Sequence, residues 1–477
     1  MKYLLGFLVI TLLSCTHSNS SKNDFSLEKA SAFEKIGWDK VPEIISRIQA
    51  PTFMNSEYIV TEFGAIGDST SDNRMAFQEA INKCSKNGGG RVLVSSGEYF
   101  VDGPIHFRDN VNLHLEEGAR IFFGSDPEKY LPLVKVRWEG TVCYNYSPLI
   151  YGYQLKNIAI TGKGEIDGNA IEWSQEWRKK QKPDKKVLRQ MGNDTIPEFQ
   201  RVFGNGFLDL DGDAKDDGFG DGLQHYLRPT LVEFYECENI LLDGITFKNS
   251  PFWTVHPVFS KNVTIRNLKV YGEVLNDDGI DPDSCEDVLI ENNLVKTHDD
   301  AISIKAGRDQ DAWQRPGSRN IIVRNNQLQS GVNALCIGSE MSGGVSYLFA
   351  EGNTISEGKH ALNFKCNLDR GGQVQHVYIR NTTVESCDEA MFIFRMDYHG
   401  YRGNEYPTKF NDFYINNIRC KNVNGKPFKI VGVPQEPIQR IFLKDVQVEK
   451  AGEGSLLEHT ENIIFENVSI NGEAVAN

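Results

Sequence analysis

The chain is predicted to be an all-β protein, a parallel β-solenoid, and three observations predict it. First, one phrase recurs: a polar residue, three mostly β-branched or aromatic residues, then Asn or Asp. It stands at Asn157-Ile-Ala-Ile, Asn239-Ile-Leu-Leu-Asp243, Asn262-Val-Thr-Ile, Asp287-Val-Leu-Ile-Glu-Asn292 and Asn320-Ile-Ile-Val-Arg-Asn325, and returns at Ser346, His376, Asp412, Arg440 and Asn462. Second, the copies at Asn239, Asn262 and Asp287 begin 23 and 25 residues apart. That is the period of short strands stacked coil upon coil. Third, Asn and Gly turns punctuate the strands, and amphipathic helical patterning is nearly absent. A solenoid grows by adding coils, so residues 51–477 are read as one domain, although a chain of 477 residues would otherwise suggest two or three.

The first residues are expected to be an export leader. Met1 to Cys15 carries one lysine, an apolar run from Tyr3 to Leu13, and Leu-Leu-Ser-Cys. The run is too short for a permanent membrane span, and a cysteine directly after it fits a lipoprotein signal acylated at Cys15. Residues 16–50 are read as a tether. The protein is therefore expected outside the cytoplasm of a bacterium, held in the periplasm or at the outer membrane only through its lipid. Ser71 or Asp72 can cap a short helix whose Ala76, Phe77, Ala80 and Ile81 form one apolar stripe, suited to plugging the open end of the solenoid. The glycine triplet at Gly88 precedes a strand rather than a helix, which argues against a phosphate loop.

Residues 163–228 interrupt the repeat with a charged insertion carrying Trp173 and Trp177. Within it, Asp209 to Asp217 has the acids of a calcium loop, but its glycine and closing glutamate are misplaced, so a solvated loop is preferred. A long insertion beside functional coils is expected to shape or cover a cleft. Trp253, one coil before Asp278, is open to two readings, a sugar platform or core packing.

Two pairs of adjacent acids, Asp277-Asp278 and Asp299-Asp300, each precede a β-prone run. Aligning five coils stacks Asp278, Asp300, Asn333, His360 and Glu389 in one polar column, with rungs about 4.8 Å apart. Alternation places Ile280, Ile302, Leu335, Leu362 and Met391 inside. It turns Asp281, Ser303, Cys336 and Asn363 outward, followed by Asp283, Lys305, Gly338 and Lys365. Paired carboxylates facing one bond are the minimum equipment for acid/base hydrolysis of a glycoside.

The net charge of −14 and the lack of a basic run argue against nucleic acid as a partner. An acidic substrate would need a local basic patch. The eight cysteines after Cys15 show no metal-ligand spacing, and Cys237 and Cys285 lie two coils apart, beyond disulfide reach, so buried thiols are expected.

The phrases Phe63-Gly-Ala-Ile-Gly-Asp68, Asn276-Asp-Asp-Gly-Ile-Asp281, Asp299-Asp300, Ile337-Gly-Ser-Glu-Met-Ser-Gly-Gly344 and Phe364-Lys365 together resemble glycoside hydrolase family 28, the polygalacturonases and their relatives. The resemblance implies a right-handed parallel β-helix that hydrolyses a galacturonate-containing pectic polysaccharide with inversion, using three aspartates and neither cofactor nor metal. It makes Asp299 the general acid, and Asp278 with Asp300 the pair that activates water. Gly307-Arg308-Asp309 is similar to the exo-acting bacterial members. Two positions depart from the pattern. The family's Gly-His-Gly falls on Val332-Asn333-Ala334, and its Arg-Ile-Lys falls on Asn363-Phe364-Lys365. His360, next in the column, is a candidate substitute for the missing histidine. Lys305, Arg308, Asn333, His360, Asn363, Lys365 and Arg370 are the expected substrate-binding residues of a monomer. The rival readings are a β-helical polysaccharide lyase and a non-catalytic carbohydrate-binding surface solenoid.

Overall fold

In the computed structural model, residues 25–476 are described apart from 205–206, 212, 219–220 and 399–402. Cys15 and its leader lie outside the described residues. The chain forms a right-handed parallel β-helix, with successive coils hydrogen-bonded in parallel register. One inward column runs unbroken through Ile158, Ile240, Val263, Val288, Ile321, Leu348, Val377, Phe413, Ile441 and Ile463.

The polar head of the repeated phrase has a backbone reason. Asn157, Asn239, Asn262, Asp287, Asn320 and Asn462 all adopt φ between 54° and 60°, the left-handed region that Asn and Asp enter most readily among residues with a side chain. The corner turns there, and the side chains bond along the solenoid. Asn239 Nδ2 donates to Asn157 Oδ1 at 2.9 Å, and Asn262 Nδ2 to Asn239 Oδ1 at 2.6 Å. At one copy the register differs from expectation: Tyr347, not Ser346, takes the head position, with φ 56°. The polar column shifts similarly at its last rung, where His360 pairs with Ala390 and Leu362 with Phe392, so Phe392 replaces Met391 in the inward row.

Helix α3 (Arg74–Lys86) buries Ala76, Phe77, Ala80, Ile81 and Cys84 at the N-terminal end, and Asp72 Oδ1 accepts its first free N–H, from Arg74, at 2.9 Å. The span read as a tether is corrected from residue 27 onward. Helices α1 (Leu27–Trp38) and α2 (Val41–Arg47) lie on the outside of the coils. They cover an outward apolar row, Leu289, Ile322, Phe349, Tyr378, Tyr414 and Phe442, which would otherwise face water. Trp38 packs 5.5 Å from Phe349, and Arg47 grips Asp287 through two hydrogen bonds at 2.8 and 3.1 Å.

The insertion is shorter than expected at its start, because Glu165–Asp167 still pairs with the coils on both sides. Beyond that strand it folds into α4 (Arg178–Lys180) and α5 (Lys182–Asn193). Trp173 and Trp177 anchor it, buried against Tyr130 and Tyr146. The eight cysteines are free and buried.

Candidate active site

The coil carrying Asp278 breaks regular strand structure between two regular sheets. Ile280 bridges Val255 and Ile302, and Asp283 bridges Val258 and Lys305, which keeps register while leaving the intervening carboxylates unpaired by backbone. Asp277 is a builder rather than an actor. Its carboxylate accepts the backbone N–H groups of Asp299, His298 and Val274 at 2.8, 3.3 and 3.0 Å, tying the two acid-bearing turns together.

Asp278, Asp299 and Asp300 converge. One carboxylate oxygen from each lies within 4.8 Å of the others. Stacking therefore brings together the trio expected from sequence.

The lysines expected to bind substrate are engaged with these acids. Lys365 Nζ donates to Asp300 Oδ2 at 2.7 Å, and Lys305 Nζ to Asp278 Oδ2 at 3.1 Å. Lys305 also lies 3.5 Å from Asp281 and 3.8 Å from Glu340. Asp283, the rung neighbour of Lys305, is held elsewhere and meets Arg137 at 3.0 Å and His256 at 3.5 Å. Trp253 does two jobs. It is 3% exposed, stacked 5.2 Å from Phe252, and lies 4.1 Å beneath the Lys305 ammonium at the cavity wall.

Arg308 and Arg370 line the cavity but are also committed. Arg308 binds the Glu139 carbonyl at 2.8 Å and the Glu340 carboxylate, and Arg370 binds Asp309 at 2.7 Å. Asn333, His360 and Asn363, expected to touch substrate, form a layer behind the acids and are not in the cavity wall. Asn333 Nδ2 donates to Asp300, while its Oδ1 faces His360 Nδ1 at 2.9 Å and Asn363 Nδ2 at 2.6 Å. His360 thus reaches the acids only through Asn333. Burial lowers its pKa to about 4, so it is neutral at ordinary pH. Gly338 leaves no ligand space: its φ is +94°, and an added Cβ would lie 2.1 Å from the Lys365 carbonyl.

The environments push the acids apart. Burial, then repulsion from Asp300, raises Asp299 above the usual carboxylate range. For Asp300, burial is outweighed by Lys365 and Lys305, and its carboxyl is held low. Asp278 differs from the expectation of an ionised partner. Burial and its acidic neighbours raise it well above the ordinary value despite Lys305. Asp281, buried beside it, is pushed up to about 7, chiefly by burial. The two neighbouring acids are thus shifted in opposite directions, Asp299 toward keeping its proton and Asp300 toward losing it, the division that acid/base catalysis needs.

These acids are the right chemistry for a metal, and two of them, Asp278 and Asp300, already have an ammonium counter-ion in Lys305 and Lys365. In the insertion, Asp209, Asp211 and Asp217 also bring one oxygen each within 4.8 Å, and their carboxylates accept the backbone N–H groups of Ala214, Asp213 and Leu210. Asp278, Asp299 and Asp300 open into a cavity of about 750 Å³ walled on one side by α4 and α5. A larger cavity, about 1150 Å³, lies between α1 and the outer sheet around Tyr347 and His376. Among the described residues it holds no cluster of convergent acids, so size there does not mark the chemistry.

Sequence reading missed Glu139, Glu340 and Tyr398. Glu139 comes from a distant coil and binds Lys185 at 2.6 Å and Arg189 at 2.8 Å, which seats α5 over the cavity. Burial would raise its carboxyl, but Lys185, Arg189 and Arg308 hold it at about 2. The four-residue spacing of Lys185 and Arg189 was the one available sign of this face.

A parallel β-helix with clustered acids in a walled pocket defines a carboxylate-based glycosidase. Residues 189–469 match Glycosyl hydrolases family 28, and residues 59–114 match Rhamnogalacturonase A/epimerase, pectate lyase-like. The structure of a hyperthermoactive exopolygalacturonase from Thermotoga maritima is 34% identical, with TM-score 0.81, covering 92% of this chain and 96% of that one. The family 28 exopolygalacturonase of Yersinia enterocolitica shares the fold at 21% identity and TM-score 0.68, over 87% of this chain and 76% of its own. The exo-poly-alpha-D-galacturonosidase of Dickeya chrysanthemi is 26% identical over 77% of this chain and 62% of the relative. The chain belongs to glycosyl hydrolases family 28, and it is a glycoside hydrolase.

Proposed function

We propose that the protein removes terminal galacturonate from a pectic polysaccharide or oligosaccharide, with inversion at the anomeric carbon. The observation that carries this reading is the convergence of Asp278, Asp299 and Asp300 within 4.8 Å in a pocket walled by the insertion. Asp299 donates its proton to the glycosidic oxygen as the bond breaks. Asp300, ionised and fixed by Lys365 and Asn333, draws a proton from the attacking water, and Asp278 orients that water. Asn333, His360 and Asn363 act as positioning residues behind Asp300. The helices α4 and α5 wall the cavity on one side and so leave it a pocket, a shape that supports attack at a chain end. The relatives named above as exo-acting on polygalacturonate support the same substrate and mode.

Incubating the protein with pectic oligosaccharides, with uncharged galactan and rhamnan as controls, is expected to release only monogalacturonate. Intermediate-sized products would overturn terminal action, and unsaturated products absorbing in the ultraviolet would indicate elimination instead of hydrolysis.

Export and acylation at Cys15 are part of the same proposal, supported by the apolar run ending in Leu-Leu-Ser-Cys. Radiolabelled palmitate is expected to enter the native protein and not a Cys15→Ser variant. Equal labelling of both would overturn the anchor.

A further inference from the structure

The cations at the floor of the cavity are already spent on internal carboxylates. Lys365 holds Asp300, Lys305 holds Asp278, Arg370 holds Asp309, and Arg308 holds Glu340. A galacturonate chain brings one further carboxylate with each sugar, so more cations are required than the floor supplies. The insertion provides them.

Its helix carries across the α4–α5 junction. Gln181 N–H bonds the Trp177 carbonyl at 2.8 Å, and Lys185 N–H bonds the Gln181 carbonyl at 3.0 Å, so helical spacing is kept from Arg178 onward. Arg178, Lys182 and Lys186 recur every fourth residue, share one face, are exposed, and line the cavity that holds the trio. Lys185 and Arg189 lie next to this face and are consumed by Glu139, which fixes the helix in place. The acids of the same segment are occupied elsewhere. Glu176 lies 3.8 Å from Lys179, and Asp184 accepts from the Tyr226 N–H and faces His225. Among the described residues, no carboxylate pairs with Arg178, Lys182 or Lys186. In a protein of net charge −14, three such cations beside a catalytic cavity make a local field of opposite sign.

We infer that Arg178, Lys182 and Lys186 form an anion-binding wall that holds the carboxylates of sugars adjoining the cleaved residue. The wall sets specificity for an acidic oligosaccharide. The inference rests on the acidic substrate proposed above.

The test measures trigalacturonate binding calorimetrically in an Asp299→Asn background, where turnover is suppressed, with and without Arg178→Gln, Lys182→Gln and Lys186→Gln together. Three exposed ion pairs lost together are expected to weaken binding by about tenfold or more at low salt. High salt should erase most of the difference. An Arg178→Lys, Lys182→Arg, Lys186→Arg protein, which keeps the charge, should bind near the parent level. Equal affinity of the neutralised and parent proteins overturns the wall while leaving the substrate reading intact. Tight binding by the parent with no cleavage by the native enzyme overturns the substrate reading and leaves the wall. Failure of the parent to bind any acidic oligosaccharide overturns both.

Discussion

Asp299→Asn is expected to lower kcat by about 10²- to 10⁴-fold, the usual contribution of a positioned general acid, with little change in substrate affinity. The asparagine keeps the shape of the side chain and the contacts from Asn276, whose backbone and side-chain nitrogens lie 3.3 and 3.5 Å from Asp299 Oδ2. What it removes is the transferable proton. The variant should also lose the alkaline limb of the pH–rate profile, since Asp299, raised by burial and by Asp300, is the group whose deprotonation ends activity. A substrate with a leaving group that needs no proton, such as a nitrophenyl galacturonide, should recover much of the rate. Loss of equal size on both substrates would show that Asp299 is not the acid.

Lys305→Met is expected to have the largest effect on stability. The ammonium is 2% exposed and lies within 3.8 Å of three carboxylates, those of Asp278, Asp281 and Glu340. Removing one partner of a buried charge network costs about 3–5 kcal/mol; here Asp278 and Asp281 are left buried without their counter-ion, while Glu340 keeps Arg308. The sign of the pH dependence follows from those acids. Asp278 and Asp281 already have folded-state pKa values above their ordinary ones, chiefly through burial, and losing Lys305 raises both further. A carboxyl raised in the folded state favours folding when protonated and opposes it as pH climbs through the interval between its unfolded and folded values. The deficit of Lys305→Met should therefore be greatest above about pH 7 and shrink as pH falls toward the ordinary carboxylate value of about 4. Urea unfolding across that range measures it. A deficit independent of pH would mean that Lys305 stabilises by packing on Trp253 rather than by charge.

The parts of this protein legible in its sequence are those written in local repetition. Asn at each coil corner is a backbone requirement visible one residue at a time, so the solenoid could be read from Asn239, Asn262 and Asp287. The trio could be read because stacking turns a sequence interval into a neighbouring rung. The residues legible only in part show where repetition stops helping. Alternation correctly turned Lys305, Asn363 and Lys365 outward, but direction alone does not tell a substrate contact from a buried partner. Asn363 faces a layer of side chains behind Asp300, and Lys365 is held by that acid.

Helices α1 and α2 were masked by a tether-like reading, although the signal existed. Phe349, Tyr378 and Tyr414 are large apolar residues at outward positions, and an outward row of that kind needs a cover. Glu139 had no such signal, and Glu340 stood only as one member of the family-like phrase Ile337–Gly344. They reach the cavity from separate coils, and their importance comes from which cations they hold once the chain has closed. The basic face of α5 lay between these extremes, visible as a four-residue spacing but meaningless until the helix is placed beside the acids.

The central claim is that Asp299 protonates the leaving oxygen while Asp300 activates a water on the opposite face of the sugar. Proton NMR of the first product from an α-linked galacturonide tests it most directly. The account predicts that β-galacturonate appears first and mutarotates slowly toward equilibrium. Initial release of the α-anomer would contradict it, because retention requires a covalent intermediate and gives the second carboxylate a different role.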